Sequence, residues 1–314
     1  MRHTTFWILN LLILAGVVPT AYAQPFGEWA DPVHLDWPIN TEIDAEMNPA
    51  LTRDGLTMYF LRYYDPNIFA VHRNSVDEPW GEPQFLGDVL GDGVVFSRDG
   101  HRAYFSRVAA DGRSDIYMSR RQDKDDDFHW SAPEDLGPAI NTPANEYYPF
   151  FYEDDASGVT SLYFATDRAG TDDIYVSVVK EDGTFSEPVP VQELNSPKAD
   201  RRLQIRRDGL ECVWMSNRVG SILNRQGVES LDLWMARRGS TSEPWSAPEH
   251  MQTGTFNTGR AEGAPHYSFD GTELYFHAAQ RPGNFGIGCP DSATCYFDIW
   301  YATRKKLTGK ATEK

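Results

Sequence analysis

Positive charge is scarce in this chain: its 314 residues carry 29 Lys+Arg against 46 Asp+Glu, a formal net charge of −17. A phosphate-binding surface needs a concentrated basic patch, so nucleic acid is not an expected partner. Long apolar runs are scarce too. The one present, Phe6 to Val18 with Asn10 inside it, follows Arg2 and His3 and precedes Ala21-Tyr22-Ala23. That order of charge, apolar stretch and small-x-small site reads as a signal peptide, so residues 1–23 are expected to be cleaved and Gln24 to begin the exported chain. No later stretch is long enough to cross a bilayer as a helix, and the expected product is a soluble monomer, periplasmic or secreted.

Cysteine is nearly absent, with 3 in the chain. Cys289 and Cys295 follow a Gly/Pro-rich stretch, and in an oxidising compartment they are expected to form a local disulfide. Cys212 lies in an apolar strand pattern from Leu210 to Trp214 and reads as a buried free thiol. No Cys/His spacing of the zinc-site type occurs, so no metal site is expected from cysteine and histidine. The phosphate-binding and dinucleotide-binding glycine loops and the G-x-S-x-G elbow are missing as well, which removes nucleotide-driven and serine-hydrolase chemistries.

What the chain has is repetition. A turn and the strand after it recur as Arg53-Asp54-Gly55 to Met58-Tyr59-Phe60, Arg98-Asp99-Gly100 to Ala103-Tyr104-Phe105, Arg207-Asp208-Gly209 to Cys212-Val213-Trp214 and Phe269-Asp270-Gly271 to Leu274-Tyr275-Phe276. A looser copy runs from Glu153-Asp154-Asp155 through Gly158 to Leu162-Tyr163-Phe164. Asp-Gly supplies a hairpin turn, and the apolar alternation behind it a half-buried strand. Each copy leads to a second strand: Asn67-Ile68-Phe69, Asp115-Ile116-Tyr117, Asp173-Ile174-Tyr175, Asp232-Leu233-Trp234 and Asp298-Ile299-Trp300. Then comes Trp80-x-x-Pro83, Trp130-x-x-Pro133, Phe185-x-x-Pro188 or Trp245-x-x-Pro248, where proline suits an edge strand. The fifth copy of that element stands at the beginning of the chain, as Trp29-x-x-Pro32.

The pattern predicts an all-β fold, a five-bladed β-propeller of four-stranded antiparallel blades spanning residues 24–304, with 305–314 as a tail. The unit that ends at Tyr301-Ala302-Thr303 lacks an outer strand, and the N-terminal segment is expected to provide it and close the ring. Periodic tryptophans are expected to pack in the core, and only Trp37 falls outside the repeat. The repeats resemble the TolB-like group of WD40-like (PD40-type) β-propeller repeats of exported bacterial proteins. The likeness rests on Ser97-Arg98-Asp99-Gly100 with Tyr104-Phe105-Ser106-Arg107, on Ser268-Phe269-Asp270-Gly271 with Leu274-Tyr275-Phe276, and on the downstream Asp-Ile-Tyr and Trp-Ser-x-Pro elements. It implies a scaffold that serves protein binding, glycan binding and some carbohydrate-active enzymes.

One face of such a ring carries the incoming loops, with Ile39-Asn40-Thr41, Ile140-Asn141-Thr142, Leu194-Asn195-Ser196 and Phe256-Asn257-Thr258. At a fixed distance before each turn stands Glu46, Glu146, Asp200 or Glu262, and in the second unit Gly91, flanked by Asp88 and Asp92. Three chemistries fit such a ring of acids. Each could pair with an arginine of the neighbouring blade, drawn from Arg62, Arg107, Arg168, Arg218 and Arg281. Together they could hold a hard cation such as Ca²⁺. Or Glu46, Glu146 and Glu262 could act as the carboxyls of a glycoside hydrolase.

The run Asp123-Lys124-Asp125-Asp126-Asp127 reads as a solvated hairpin tip, and His266 as packing. The spans 214–232 and 276–298 are longer than their counterparts, which points to ligand docking on that side, near Arg201, Arg202, Arg225 and Arg281. The expected function is therefore an exported, non-catalytic module that binds a protein or glycan at this face without a cofactor. The alternative is a carbohydrate-active enzyme using the same acids.

Overall fold

The computed structural model describes residues 26–42, 44–62, 68–87, 89–224, 227–279 and 297–307. The expected leader, the pair Cys289 and Cys295, and Arg225 and Arg281 lie outside these residues.

Strand β1 (Val33–His34) opens the chain. Blade 1 holds β2 (Glu46–Leu51), β3 (Thr57–Arg62), β4 (Ile68–His72) and β5 (Gln84–Gly87); blade 2 holds β6 (Asp92–Phe96), β7 (Arg102–Val108), β8 (Ser114–Arg120) and β9 (Glu134–Asp135). Blade 3 consists of β10 (Glu146–Glu153), β11 (Thr160–Thr166), β12 (Asp173–Val178) and β13 (Val189–Pro190). Blade 4 consists of β14 (Asp200–Ile205), β15 (Glu211–Ser216), β16 (Asp232–Arg237) and β17 (Glu249–His250). Blade 5 runs β18 (Glu262–Tyr267), β19 (Glu273–Ala279) and β20 (Phe297–Thr303), and its fourth strand is β1. Neighbouring strands are antiparallel throughout, and the described residues contain no helix. The protein is a five-bladed β-propeller closed by its N-terminal strand, with Val33 paired to Tyr301 and His34 to Trp300.

The repeated residues earn their places by one local device. In blades 1, 2 and 5 the turn aspartate accepts the backbone N–H two residues on, at 3.0 Å from Leu56, 3.1 Å from His101 and 3.0 Å from Thr272. The following glycine has φ near +70°, a region glycine occupies without penalty. An arginine just past the third strand then donates its Nε–H to that glycine's carbonyl: Arg73 to Gly55, Arg121 to Gly100, Arg238 to Gly209 and Arg304 to Gly271, at 2.6–2.9 Å. The same guanidinium lies over the repeat tryptophan, Trp80, Trp130, Trp245 or Trp29, at 4.1–4.5 Å. Asp-Gly turn, arginine and tryptophan thus form one latch in each of blades 1, 2, 4 and 5, and in blade 5 the latch holds the N-terminal strand. In all five blades the outer strand starts right after the proline of this element, Pro83, Pro133, Pro188, Pro248 or Pro32.

The core lies between the blades. Tyr59, Ile68, Leu90 and Phe105 fill one interface, Ile116, Ile140, Leu162 and Phe164 the next, and Met58, Phe60, Tyr275 and Ile299 the joint across the closure. Burying one such aromatic is worth on the order of 2–3 kcal/mol. Trp214 and Cys212 are fully buried in β15, as the apolar pattern requires, whereas Trp37 is 70% exposed.

The acidic run departs from its sequence reading. Asp123 and Asp125 are exposed, but Asp127 is buried, bonded to Tyr59 Oη of blade 1 and to Arg121 at 2.9 Å. A carboxylate with a buried arginine and phenol to meet is drawn into the interblade joint, which local charge density does not reveal.

Candidate functional site at the channel mouth

The asparagine of each incoming loop bridges blades. Asn141 accepts from Ile116 N–H and donates to its carbonyl, both at 2.9 Å; Asn195 does the same with Ile174, Asn257 with Leu233 and Asn40 with Ile299. The side-chain amide thereby continues the outer edge of the preceding blade where its own fourth strand has stopped. The Thr or Ser that follows turns to the next blade and donates its N–H and hydroxyl to the acid there: Thr41 to Glu46, Thr142 to Glu146, Ser196 to Asp200 and Thr258 to Glu262.

These four acids open their innermost strands, and all are at most 1% exposed. Their arginines come from the same blade, not the neighbouring one. Arg62 reaches Glu46 at 3.0 Å, Arg168 reaches Glu146 at 3.1 Å and Arg218 reaches Asp200 at 2.5 Å. Each guanidinium also bonds the carbonyl of the apolar loop residue, Ile39, Ile140 or Leu194. Burial is the largest influence on Glu46 and Glu262 and pushes both up to about 7. The arginine position of blade 5, Arg281, falls outside the described residues.

Two residues beyond the acid, every innermost strand bulges. Asn48, Gly93, Tyr148, Arg202 and Ala264 all have φ between +49° and +66°, and the strand register slips at the same step in each blade. For a tyrosine or an arginine this left-handed conformation is costly, about 1 kcal/mol or more. Repeated in all five blades, it brings Asn48, Gly93, Tyr148, Arg202 and Ala264 around one narrow neck. The bulge ring closes the channel to a neck of about 20 Å³, and above the neck opens a cavity of about 750 Å³.

The floor and wall of that cavity form a network drawn from several blades. Arg202 of blade 4 lies 3.8 Å over the Tyr148 ring of blade 3 and donates to Asp92 Oδ1 of blade 2 at 2.7 Å. Asn48 of blade 1 donates to the same oxygen at 2.6 Å, and its backbone N–H faces His277 Nδ1 of blade 5 at 3.4 Å. Burial first, and Arg202 second, push His277 down to about 3, so its ring is neutral. Asp92 is 37% exposed and spends only Oδ1 on these bonds. Asn48 Oδ1, Glu262 Oε2 and Arg201 Nε are buried with no hydrogen-bond partner among the described residues, and all three residues line the cavity.

Of the residues singled out from sequence, Glu262, Arg201 and Arg202 line the cavity, and Glu46, Glu146 and Asp200 do not. Arg201 pairs with Asp172, which also takes the Tyr147 hydroxyl. The long span of blade 4 folds into a small hairpin through a Leu223–Glu229 bridge. Asn48, Tyr148 and His277 escaped the sequence reading, in which Asp92 figured as a neighbour of Gly91. The trace of the bulges was the proline after them, in Asn48-Pro49, Tyr148-Pro149 and Ala264-Pro265. The opposite mouth is a smaller cavity of about 140 Å³ rimmed by Arg53, Arg98 and Arg207, with His266 on its wall pushed by burial down to about 4. Among the described residues no group of three or more His, Cys, Asp or Glu is placed to hold a metal ion.

No family model matches the chain, and no curated protein does. Solved structures do. The catalytic domain of a GH62 α-L-arabinofuranosidase from Coprinopsis cinerea is similar with a TM-score of 0.57 at 13% identity, covering 90% of this chain and 98% of that one. A thermostable family-43 glycoside hydrolase gives 0.56 at 13% identity over 88% and 94%, and the inulosucrase from Halalkalicoccus jeotgali bound to kestose 0.55 at 14% over 90% of each. TolB from Acinetobacter baumannii is also among the neighbours, at 0.49 and 15% identity, over 86% of this chain and 56% of that one. At these identities the likeness is one of fold: the chain shares the architecture of the two glycoside hydrolases and the inulosucrase.

Proposed function

We propose that the protein is an exported carbohydrate-binding propeller whose ligand sits in the cavity above the bulge ring. The observation that carries this reading is the set of buried polar atoms with no hydrogen-bond partner among the described residues, Asn48 Oδ1, Glu262 Oε2 and Arg201 Nε, beside the half-exposed Asp92 and the aromatic rings of Tyr147 and Tyr148. Buried polar atoms without partners are costly, and sugar hydroxyls, which both donate and accept, satisfy them. Ring faces suit the apolar side of a pyranose. The backbone strain repeated at the floor fits a site held in shape for a ligand. The bound kestose of the inulosucrase, at least, belongs to a protein of this fold. Export, with residues 1–23 as its signal, and a PD40-type repeat are parts of the same reading.

The test is a glycan array followed by titration calorimetry on hits. Asp92→Asn and Arg202→Met should each weaken binding at least tenfold, the loss of a charge-assisted hydrogen bond of about 1.5–3 kcal/mol. Hits that bind both variants as tightly as the wild type sink the assignment of this cavity.

One observation favours a second reading, a carbohydrate-active enzyme. Glu262, pushed up to about 7, keeps a proton near neutral pH, and the half-open Asp92 shares its cavity. Hydrolysis needs such an acid and a second carboxylate. Turnover of aryl glycosides or polysaccharides that disappears in Glu262→Gln supports this reading over pure binding; Glu46 and Glu146, away from the cavity wall, are not its candidates.

A further inference from the structure

Blade 2 breaks the repeat at the cavity wall. In the other blades six or seven positions separate the apolar loop residue from the acid, as in Ile39 to Glu46 and Ile140 to Glu146; in blade 2 Leu90 is followed directly by Gly91. The Asn-Thr pair is gone, and backbone replaces its bridge, with Gly87 paired to Ile68 in β4. Gly91 cannot be the acid in disguise, because a Cβ there would sit 2.3 Å from the Ser106 carbonyl oxygen and 2.9 Å from Arg107 Cγ.

The arginine, however, has been kept. Arg107 occupies in β7 the register position of Arg62 in β3, and its Nε and Nη2 still bond the carbonyl of the apolar loop residue, Leu90, at 3.3 and 2.8 Å. What it lacks, among the described residues, is a carboxylate within ion-pair distance. Arg202 is matched by Asp92 and Arg201 by Asp172, so Arg107 is the one arginine of the cavity wall left without a counter-charge among them. The wall around it is open: Val108 beside it is 75% exposed, and Ser106 and Ser114 line the same side.

We infer that the ligand supplies the missing carboxylate: the cavity takes an acidic saccharide, a uronate, with its carboxyl group on Arg107. The sister blades state the chemistry, since the same guanidinium seat holds Glu46, Glu146 and Asp200 there. An arginine tethered by its own carbonyl bonds loses little freedom on binding, which favours a planar, bidentate anion. The net charge of −17 opposes any anion at long range, but at physiological salt that field is screened beyond about 8 Å, while a direct ion pair in a cavity is screened far less.

This inference rests on the carbohydrate reading, and the experiment separates the two. Oligogalacturonate, oligoguluronate and oligoglucuronate are titrated calorimetrically in parallel with their methyl esters, which keep every ring hydroxyl and lose the charge. The wild type should bind at least one acid tenfold or more tighter than its ester, a preference that shrinks as salt is raised. In Arg107→Met that ratio should fall to about one, and Arg107→Lys should restore part of it; thermal melts confirm that both variants fold. Equal binding of acid and ester by the wild type overturns the anionic subsite and leaves the carbohydrate reading standing. A preference unchanged in Arg107→Met overturns the role of Arg107. If neither acids nor esters bind, and neutral glycans also fail, the carbohydrate reading falls and this inference with it.

Discussion

Blade 2 and the other four blades meet the same demand, joining one sheet to the next at the channel mouth, with different material. In blades 1, 3 and 4 an asparagine bridge, a hydroxyl, a buried acid and an arginine close on one another, and every charge is spent inside the protein. In blade 2 the loop is short, Gly91 stands in the acid's place, and Arg107 lines the cavity with no counter-charge among the described residues. The difference teaches where to look for function in a repeat protein. The regular positions maintain the ring, and the position at which regularity fails is free to meet something else.

The largest effect is expected at a closed site: Asp200→Ala leaves Arg218, 8% exposed, without its counter-charge and strands the Trp214 indole N–H, which donates to Asp200 at 3.1 Å. A loss of about 3–5 kcal/mol in urea unfolding is expected, the cost of orphaning a buried charge; a loss below about 1 kcal/mol would mean that the acid ring does not stabilise the joints. Asn257→Ala removes three side-chain bonds at a fully buried bridge, to Leu233 N–H, Leu233 O and Met251 O, and should cost about 2–3 kcal/mol by the same assay.

A smaller effect follows pH. Glu46 and Glu262 have folded values raised from 4.5 to about 7, so the folded chain holds their protons more tightly than the unfolded one. Their contribution is full below about 4.5 and is lost as pH rises through 7, so melting temperature should fall across that window. Glu46→Gln should flatten the fall by on the order of 1 kcal/mol at pH 7.5; a wild-type profile that rises between pH 5 and 7.5 would contradict the raised values. The smallest change in stability belongs to blade 2: Arg107→Met should cost no more than about 1 kcal/mol, because it breaks no ion pair among the described residues. A large loss there, measured by the same unfolding curves, would erase the contrast between blade 2 and the rest.

Much of the fold could be read directly. Asp-Gly turns, strand alternation and the displaced Trp29-x-x-Pro32 identify five blades and the closing strand, because each is a local pattern that a hairpin imposes on its own sequence. The acids at the strand starts were equally legible as a register. Their partners were not: the arginines belong to the same blade, through side chains whose reach depends on how the second strand ends, as the two-residue offset between Arg62 and Arg168 relative to their acids' strand partners illustrates. Nor was the burial of Asp127, which depends on Tyr59 from another blade.

By itself the sequence determined the number of blades, the strand order and the residues that recur, since these follow from periodicity and turn chemistry along one chain. The ligand cavity was decided only by the tertiary structure. Left-handed bulges bring Asn48, Tyr148 and Arg202 together, Asp92 meets two of them from a separate blade, and Arg107 is seen to lack a counter-charge among the described residues only once the joints of blades 1, 3 and 4 are laid beside it. Convergence of groups far apart in sequence depends on backbone geometry summed around a closed ring, and no local pattern carries that sum.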